Sequence, residues 1–281
     1  MRNHLLFAGV WLLVLPPSAD AGTHKPYRWQ RRQSDIEPLS RRVAPPKGFS
    51  RSSVKAGSYA SWLRQLPLLP RQSPVRSYRG RLILPAKHPA LLAVIDIDVG
   101  KRDRQHCVDA IMRLRGEYLW SVGKGGRVGF AWAGGRRFGF KAWKRGLRPV
   151  KQGRRWEFVA KSKPSRGYRS FRRYLGFMFS WTGTMHQRGE RRVRPEQLQG
   201  GDFFVQGGSP GHAVIVLDLA TDGAGRRVAL LAQSYMPAQD VHVLRGPQQG
   251  WFPLEAGKTI KTPLWPSVFS WKDLRRFRDA R

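Results

Sequence analysis

An apolar segment that begins at His212 and runs to Leu217 is the feature that most constrains what this chain can fold into. It follows a glycine-rich turn, Gln206 to Gly211, and a short apolar run bounded by glycine and proline is typical of a buried β-strand. The histidine therefore lies at the mouth of a strand, where glycines allow close approach of another backbone. We expect Gln206, Ser209 and Gly211 to line this mouth and to contact a substrate.

The surrounding patterns predict an α+β fold. Apolar residues spaced three and four apart predict amphipathic helices at 59–66, 103–119 and 168–179. A Val- and Ile-rich run predicts a strand at 90–99, and aromatic-rich runs predict a hairpin of 128–132 with 138–140. Further strands in a meander are predicted at 202–206, 212–217, 228–234 and 241–244. The folded part therefore combines a few helices with an antiparallel sheet.

The single cysteine, Cys107, is a candidate nucleophile. Asp103 is the predicted N-cap of the helix, so Cys107 lies near the first turn, where backbone amides favour a thiolate. We therefore expect a partly exposed thiol with a lowered pKa. His106 points about 100° away from Cys107 on a helix, which makes it a substrate contact and not the base. A buried apolar filler and an intermolecular disulfide partner are the alternative roles for a lone cysteine.

A thiol at a helix start, followed later in the chain by a histidine at a strand start, is the order found in cysteine hydrolases. If the turn after this strand is centred on Asp222 and Gly223, opposed residues have numbers that sum to 445. His212 then faces Gln233, whose carbonyl can accept a ring N–H and fix the tautomer. A slip of one residue would place Ser234 there instead.

The formal net charge of +34 concerns partners and not chemistry. Such a charge favours polyanions, among them nucleic acid, anionic lipid headgroups and anionic wall polymers. The basic residues look scattered and not massed on one periodic face, which is also typical of a uniformly solvated surface. The sequence contains no phosphate-binding loop, dinucleotide fingerprint or spaced Cys/His set, so we expect neither a cofactor nor a metal.

Residues 1–21 have a basic start, an apolar run and a small-residue exit, the pattern of a secretory signal, so we expect a periplasmic or secreted protein. No later segment is long and apolar enough to predict a membrane span. Residues 22–47 are basic, polar and interrupted by prolines, which predicts a disordered basic arm. The folded domain is then predicted over 48–281.

The segment GGDFFVQGGSPGHAVIVLDLA resembles the paired strands of NlpC-type and CHAP-type cell-wall amidases. The resemblance implies a papain-like fold in which a Cys-bearing helix packs on an antiparallel meander sheet. It also implies that Cys107 is the nucleophile, His212 the base and Gln233 the residue that orients the base. Over nearly the whole mature chain, segments such as DIDVGKRDRQHCVDAIMRLRGEYLW and LLAQSYMPAQD more closely resemble an uncharacterised family of exported bacterial proteins, a domain of unknown function.

The function expected from this reasoning is an exported, thiol-dependent amidase or peptidase acting on an anionic cell-envelope polymer, such as peptidoglycan peptides. One alternative is a non-catalytic module of the same fold that binds a polyanion or the envelope. Another is an acyltransferase or a lipid esterase. Nucleic acid is a less favoured partner, because most aromatic residues fall on predicted helix or strand faces and are better assigned to the core than to base stacking.

Overall fold

The structure is a computed structural model that describes residues 27–29, 37–135 and 137–279. The predicted secretory signal lies outside these residues. Six α-helices are found in the described part of the chain: α1 (Leu39–Arg42), α2 (Tyr59–Arg64), α3 (Cys107–Ser121), α4 (Phe140–Trp143), α5 (Tyr168–Trp181) and α6 (Thr184–Gln187).

Seventeen β-strands, several of only two residues, alternate with these helices in the described residues. They are β1 (Glu37–Pro38), β2 (Phe49–Arg51), β3 (Pro67–Leu68), β4 (Val75–Arg76), β5 (Leu82–Leu84), β6 (Leu91–Val94), β7 (Gly129–Phe130), β8 (Phe138–Gly139), β9 (Leu147–Gln152), β10 (Arg155–Ala160), β11 (Arg191–Arg192), β12 (Phe203–Gln206), β13 (His212–Asp222), β14 (Arg227–Gln233), β15 (His242–Leu244), β16 (Phe252–Leu254) and β17 (Leu274–Arg276).

The main sheet is antiparallel and runs in the order β11-β17-β12-β13-β14-β15-β6, with β2 on β13 and β16 on β14. The predicted meander of four consecutive strands forms its centre, which confirms the α+β class and the antiparallel meander. The predicted hairpin is also present as β7 with β8. The strand predicted at 90–99 is shorter, because after Val94 the chain leaves the ladder and Asp98 forms ion pairs with Arg113 and Arg172.

The central strands are buried on both faces, and side-chain alternation separates two apolar clusters. Ala213 and Ile215 of β13 face the first cluster, which includes Val108 and Ile111 of α3. Val214 faces the second cluster, formed with the strands and loops of the C-terminal part of the chain. The sheet is therefore the middle layer of the domain, with α3 on one side and the C-terminal segment on the other.

A bulge between Val216 and Asp218 changes the pairing of β13 with β14. Asp218 is 2% exposed and its carboxylate accepts from the guanidinium groups of Arg51 and Arg64, the latter at 2.7 Å. Because Arg51 lies on β2 and Arg64 ends α2, this one carboxylate holds both elements against the middle of the sheet.

The prediction of a disordered arm up to residue 47 is wrong for its C-terminal part. β1 pairs with β3, and Leu39 and Val43 of the following segment are buried in the first cluster. Tyr27 packs against Trp62 as well. The prolines that suggested disorder instead separate short elements whose apolar side chains enter the core, so the described domain begins before Gly48.

Nothing in the sequence analysis predicted the hairpin formed by β9 and β10, which pair over six residues each. Its inner face is held on the core by Trp156, whose ring centroid lies 4.9 Å from that of Trp132, and by Phe158, stacked at 5.0 Å on Phe138. Within the described residues, no helix is long and apolar enough to cross a membrane.

Candidate functional site

Cys107 is the first residue of α3, and its thiol reaches the edge of the central sheet. The backbone N–H groups of Val108 and Ala213 both point at the sulfur and oppose the rise in its pKa. Ala213 directly follows His212 in β13, so the helix start and the strand start meet here. The thiol therefore contacts the backbone amide of the residue that follows His212.

His212 is fully buried, and its ring Nε2 lies 2.7 Å from Oε1 of Gln233. This is the contact that the sequence predicted, but the register is different. Opposed residues sum to 447 before the bulge and 448 after it, because the turn reaches further along the chain than Asp222 and Gly223. The two side chains meet diagonally and on the same face, since a shift of two residues preserves the face.

A continuous row of hydrogen bonds across three strands assigns the protons. His242 lies opposite Gln233, and its Nδ1 donates to the carbonyl of Asp240 at 3.0 Å, so its Nε2 is an acceptor. Gln233 Nε2 donates to that nitrogen at 3.4 Å, which turns Gln233 Oε1 toward His212. A carbonyl oxygen only accepts, so His212 carries its proton on Nε2.

The tautomer leaves a lone pair on Nδ1 of His212. This nitrogen is buried and has no hydrogen-bond partner among the described residues. Buried polar atoms are nearly always paired, so an exception indicates a site that needs a ligand, a water molecule or a reaction. As an imidazole nitrogen with a free lone pair, His212 Nδ1 has the chemistry of a general base.

An aromatic enclosure surrounds the ring of His212. Trp265 lies 4.9 Å away with the planes tilted by 36°, Tyr235 meets the ring edge-on at 5.0 Å, and Phe269 lies at 6.1 Å. Trp265 and Phe269 belong to the segment 255–270, which we call the cover segment. These contacts place the ring on the face of the sheet opposite α3, with the Ala213 amide between ring and thiol.

Burial controls the charge state of both reactive groups. It raises the pKa of Cys107 to about 12, and the neighbouring carboxyl of Asp109 raises it further. It lowers the pKa of His212 to about 4, although the hydrogen bond to Gln233 acts in the opposite direction. At neutral pH the site therefore holds a thiol and a neutral imidazole. The expectation of a partly exposed, acidic thiol is wrong, because Cys107 is only 6% exposed and desolvation outweighs the helix-start amides.

Gln206 does not present its amide to a ligand. Its Oε1 accepts from Nε1 of Trp265 at 2.9 Å, and its Nε2 donates to the carbonyl of Val268 at 2.6 Å. These two partners lie in the cover segment, and Nε2 also donates to a carboxylate oxygen of Asp273 at 3.3 Å. Gln206 thus clamps this segment over His212, which differs from the predicted role as a substrate contact.

The remaining predicted contacts fall into different environments. Ser209 is exposed at the turn. Gly211 is packed so tightly that a Cβ would lie 2.3 Å from Thr184 Oγ1, so this position requires glycine and has no room for a ligand. His106 caps α3, and its ring lies 2.8 Å from a carboxylate oxygen of Asp103, which ties it to the helix start. Neither Gly211 nor His106 therefore faces His212 as a free contact.

Sequence reasoning missed the aromatic residues over His212 and did not connect His242 with Gln233. The cover segment has no periodic pattern and lies more than 40 residues beyond His212, so no local signal points to it. His242 could have been found from the position of the third meander strand. The described residues contain no cluster of three or more His, Cys, Asp or Glu side chains that could hold a metal ion.

The family model described as a domain of unknown function (4846) matches residues 39–276. The chain belongs to this family. The match begins at the first residue of α1 and ends at the last residue of β17, so it includes every element of the main sheet. No curated protein and no solved structure matches the chain.

Proposed function

We propose that this member of the family is a thiol-dependent hydrolase of amide bonds in an exported, papain-like domain. The observation that carries the proposal is the tautomer of His212. Gln233 holds the proton on Nε2, and the lone pair on Nδ1 is left without a partner in the described residues. The next residue, Ala213, directs its backbone N–H at the Cys107 thiol.

The proposed reaction begins from the neutral pair. Because the Ala213 amide lies between the imidazole and the thiol, the reaction also needs the cover segment to move so that Nδ1 comes within reach of Sγ. Sγ of Cys107 then attacks the carbonyl carbon while its proton moves to His212 Nδ1, and the resulting oxyanion faces the amides at the start of α3. The C–N bond then breaks, and the proton passes from Nδ1 to the leaving amine. Water hydrolyses the thioester and returns the proton to sulfur. Gln233 orients the imidazole throughout by accepting from Nε2.

Opening of the enclosure is part of this proposal. Burial is the largest cause of both pKa shifts, so admission of substrate and water lowers the pKa of Cys107 and raises that of His212. The proton transfer becomes less unfavourable as a result. The cover segment is the element that must move, because its Trp265 lies over the ring of His212. This movement breaks the hydrogen bond between Trp265 and Gln206.

The proposed substrate is an anionic envelope polymer with peptide amides, with isolated peptidoglycan as the first probe. We expect the full-length protein to release soluble amine-bearing fragments. Cys107→Ala and His212→Ala are expected to abolish release, whereas Ser234→Ala, a change in the neighbouring buried residue of the same strand end, retains it. Thermal unfolding of each variant checks that the fold survives.

Gln206→Ala provides a second measurement that needs no substrate. Loss of the clamp is expected to speed alkylation of Cys107 by iodoacetamide, whereas Gln199→Ala, an exposed glutamine outside the enclosure, leaves the rate unchanged. Fragment release by Cys107→Ala at the wild-type rate would overturn the proposal.

A second candidate function, a non-catalytic module that binds the envelope, is favoured by one observation, the burial of Cys107 with a pKa of about 12. In that case wild type and Cys107→Ala bind peptidoglycan equally and neither releases fragments.

A further inference from the structure

The region 141–173, which we call the basic segment, has an unusual charge balance. It contains 13 of the 52 basic residues of the chain and one acidic residue, Glu157, which gives a net charge of +12 in 33 residues. The basic residues are therefore concentrated in this segment, whereas the sequence analysis described them as scattered. The segment comprises α4 after its first residue, the β9–β10 hairpin, the following loop and the first half of α5.

Most of these cations are not neutralised within the protein. Within the described part of the chain, Arg148 lies over the ring of Trp143 at 3.5 Å and Arg172 pairs with Asp98. Ten others are exposed and form no ion pair with another described residue: Lys141, Arg145, Lys151, Arg154, Arg155, Lys161, Lys163, Arg166, Arg169 and Arg173. Arg169 and Arg173 are four residues apart on α5, a like-charged spacing that destabilises a helix unless an anion lies between them.

The surface is rigid enough to be a binding platform. Trp156 and Phe158 fix the inner face of the hairpin on the aromatic core, with Trp156 also 5.1 Å from Trp181. The first turn of α5 contains no acidic residue, so its amides add to the positive potential. The cations are therefore displayed from strands, a loop and a helix that do not need to fold around a partner.

The side chains that are missing from this surface decide the class of partner. Every large hydrophobic side chain that is exposed in the described residues lies outside the basic segment. A surface that docks on a bilayer combines cations with apolar side chains that enter it, and a surface that grips single-stranded bases exposes aromatic rings. Arginine, which forms eight of the 13 cations, matches phosphate oxygens through paired N–H groups.

We propose that the basic segment binds a linear phosphodiester chain through its phosphates, without recognition of bases and independently of the thiol site. Binding then releases condensed counterions, and for single strands the logarithm of the affinity falls with the logarithm of salt concentration with a slope of about −0.7 for each phosphate neutralised. The removal of four cations that each neutralise one phosphate therefore reduces the magnitude of that slope by about 3.

The test uses the full-length protein and a fluorescent, base-free phosphodiester oligomer of about 20 units, titrated between low and physiological salt. The variant Arg154→Gln/Arg155→Gln/Lys161→Gln/Lys163→Gln is expected to reduce the magnitude of the salt slope by about 3 and to lose at least tenfold in affinity at low salt. The matched control, Arg81→Gln/Arg194→Gln/Lys55→Gln/Lys87→Gln, removes the same number of exposed cations elsewhere and is expected to bind as wild type does.

Three results would overturn the inference. Equal loss in both fourfold variants would mean that net charge alone acts. Oligothymidylate binding more than tenfold tighter than the base-free oligomer would mean that bases are recognised. Tighter binding to vesicles with anionic headgroups than to the oligomer would assign the surface to a membrane. Unchanged thermal unfolding of both variants excludes misfolding as the cause of any loss.

Discussion

Replacement of Gln233 tests the hydrogen-bond row on which the site depends. Gln233→Ala removes the acceptor of the 2.7 Å bond from His212 and leaves both nitrogens of a fully buried ring without a partner among the described residues. An unpaired buried polar group costs about 1 to 3 kcal/mol, and the space left by the side chain adds to that. We expect about 2 to 4 kcal/mol of destabilisation, a fall in melting temperature of roughly 4 to 16 °C.

Gln233→Glu separates the role of the acceptor from that of volume. A carboxylate at this position still accepts from His212 Nε2, and as an opposite charge it favours the imidazolium, so the pKa of His212 rises from about 4 toward its ordinary value. Thermal unfolding gives the stability, and NMR titration of the ring carbons gives the pKa.

Ser234→Ala is the control for both measurements. Ser234 is fully buried beside Gln233, but its hydroxyl donates to the carbonyl of Gln239 at 2.8 Å and not to a histidine. We expect about 1 kcal/mol of destabilisation and an unchanged pKa of His212. If Gln233→Ala and Ser234→Ala lower the stability equally, and Gln233→Glu leaves the pKa of His212 where it was, the assignment of the tautomer is refuted.

Two further predictions concern stability. Burial lowers the pKa of both His212 and His242 to about 4, below that of an unfolded histidine, so the unfolded chain binds more protons and stability falls as the pH falls from about 6.5 to about 4. His242→Asn is expected to reduce the pH dependence of urea unfolding over that window. An unchanged dependence would contradict the burial of a neutral ring. Asp218→Asn leaves Arg51 and Arg64 without their shared carboxylate and is expected to lower the free energy of unfolding by about 3 to 5 kcal/mol. The control Glu255→Gln removes an exposed pair with Lys258 and is expected to cost at most about 1 kcal/mol. Similar losses in both variants, measured by thermal unfolding, would contradict this difference.

Local patterns were sufficient to predict the centre of the fold. Alternation and β-branched residues located the four meander strands, and the 3.6-residue period located α2, α3 and α5 within a few residues. The contact between His212 and Gln233 was also predicted, although from the wrong register, because an error of two residues keeps the same face. Contacts that depend on distant segments could not be predicted, among them the clamp from Gln206 to Trp265.

The burial of the thiol is the clearest case of tertiary structure overriding a local signal. A helix start lowers the pKa of a cysteine through one or two amides, and these amides do point at the sulfur of Cys107. The sheet, α3 and Asp109 also surround that sulfur, and desolvation of a thiolate exceeds what the amides supply. The same burial keeps His212 neutral, which is the protonation state that a base requires. The enclosure that suppresses the thiolate therefore preserves the base, and movement of the cover segment is the step that would bring both into use.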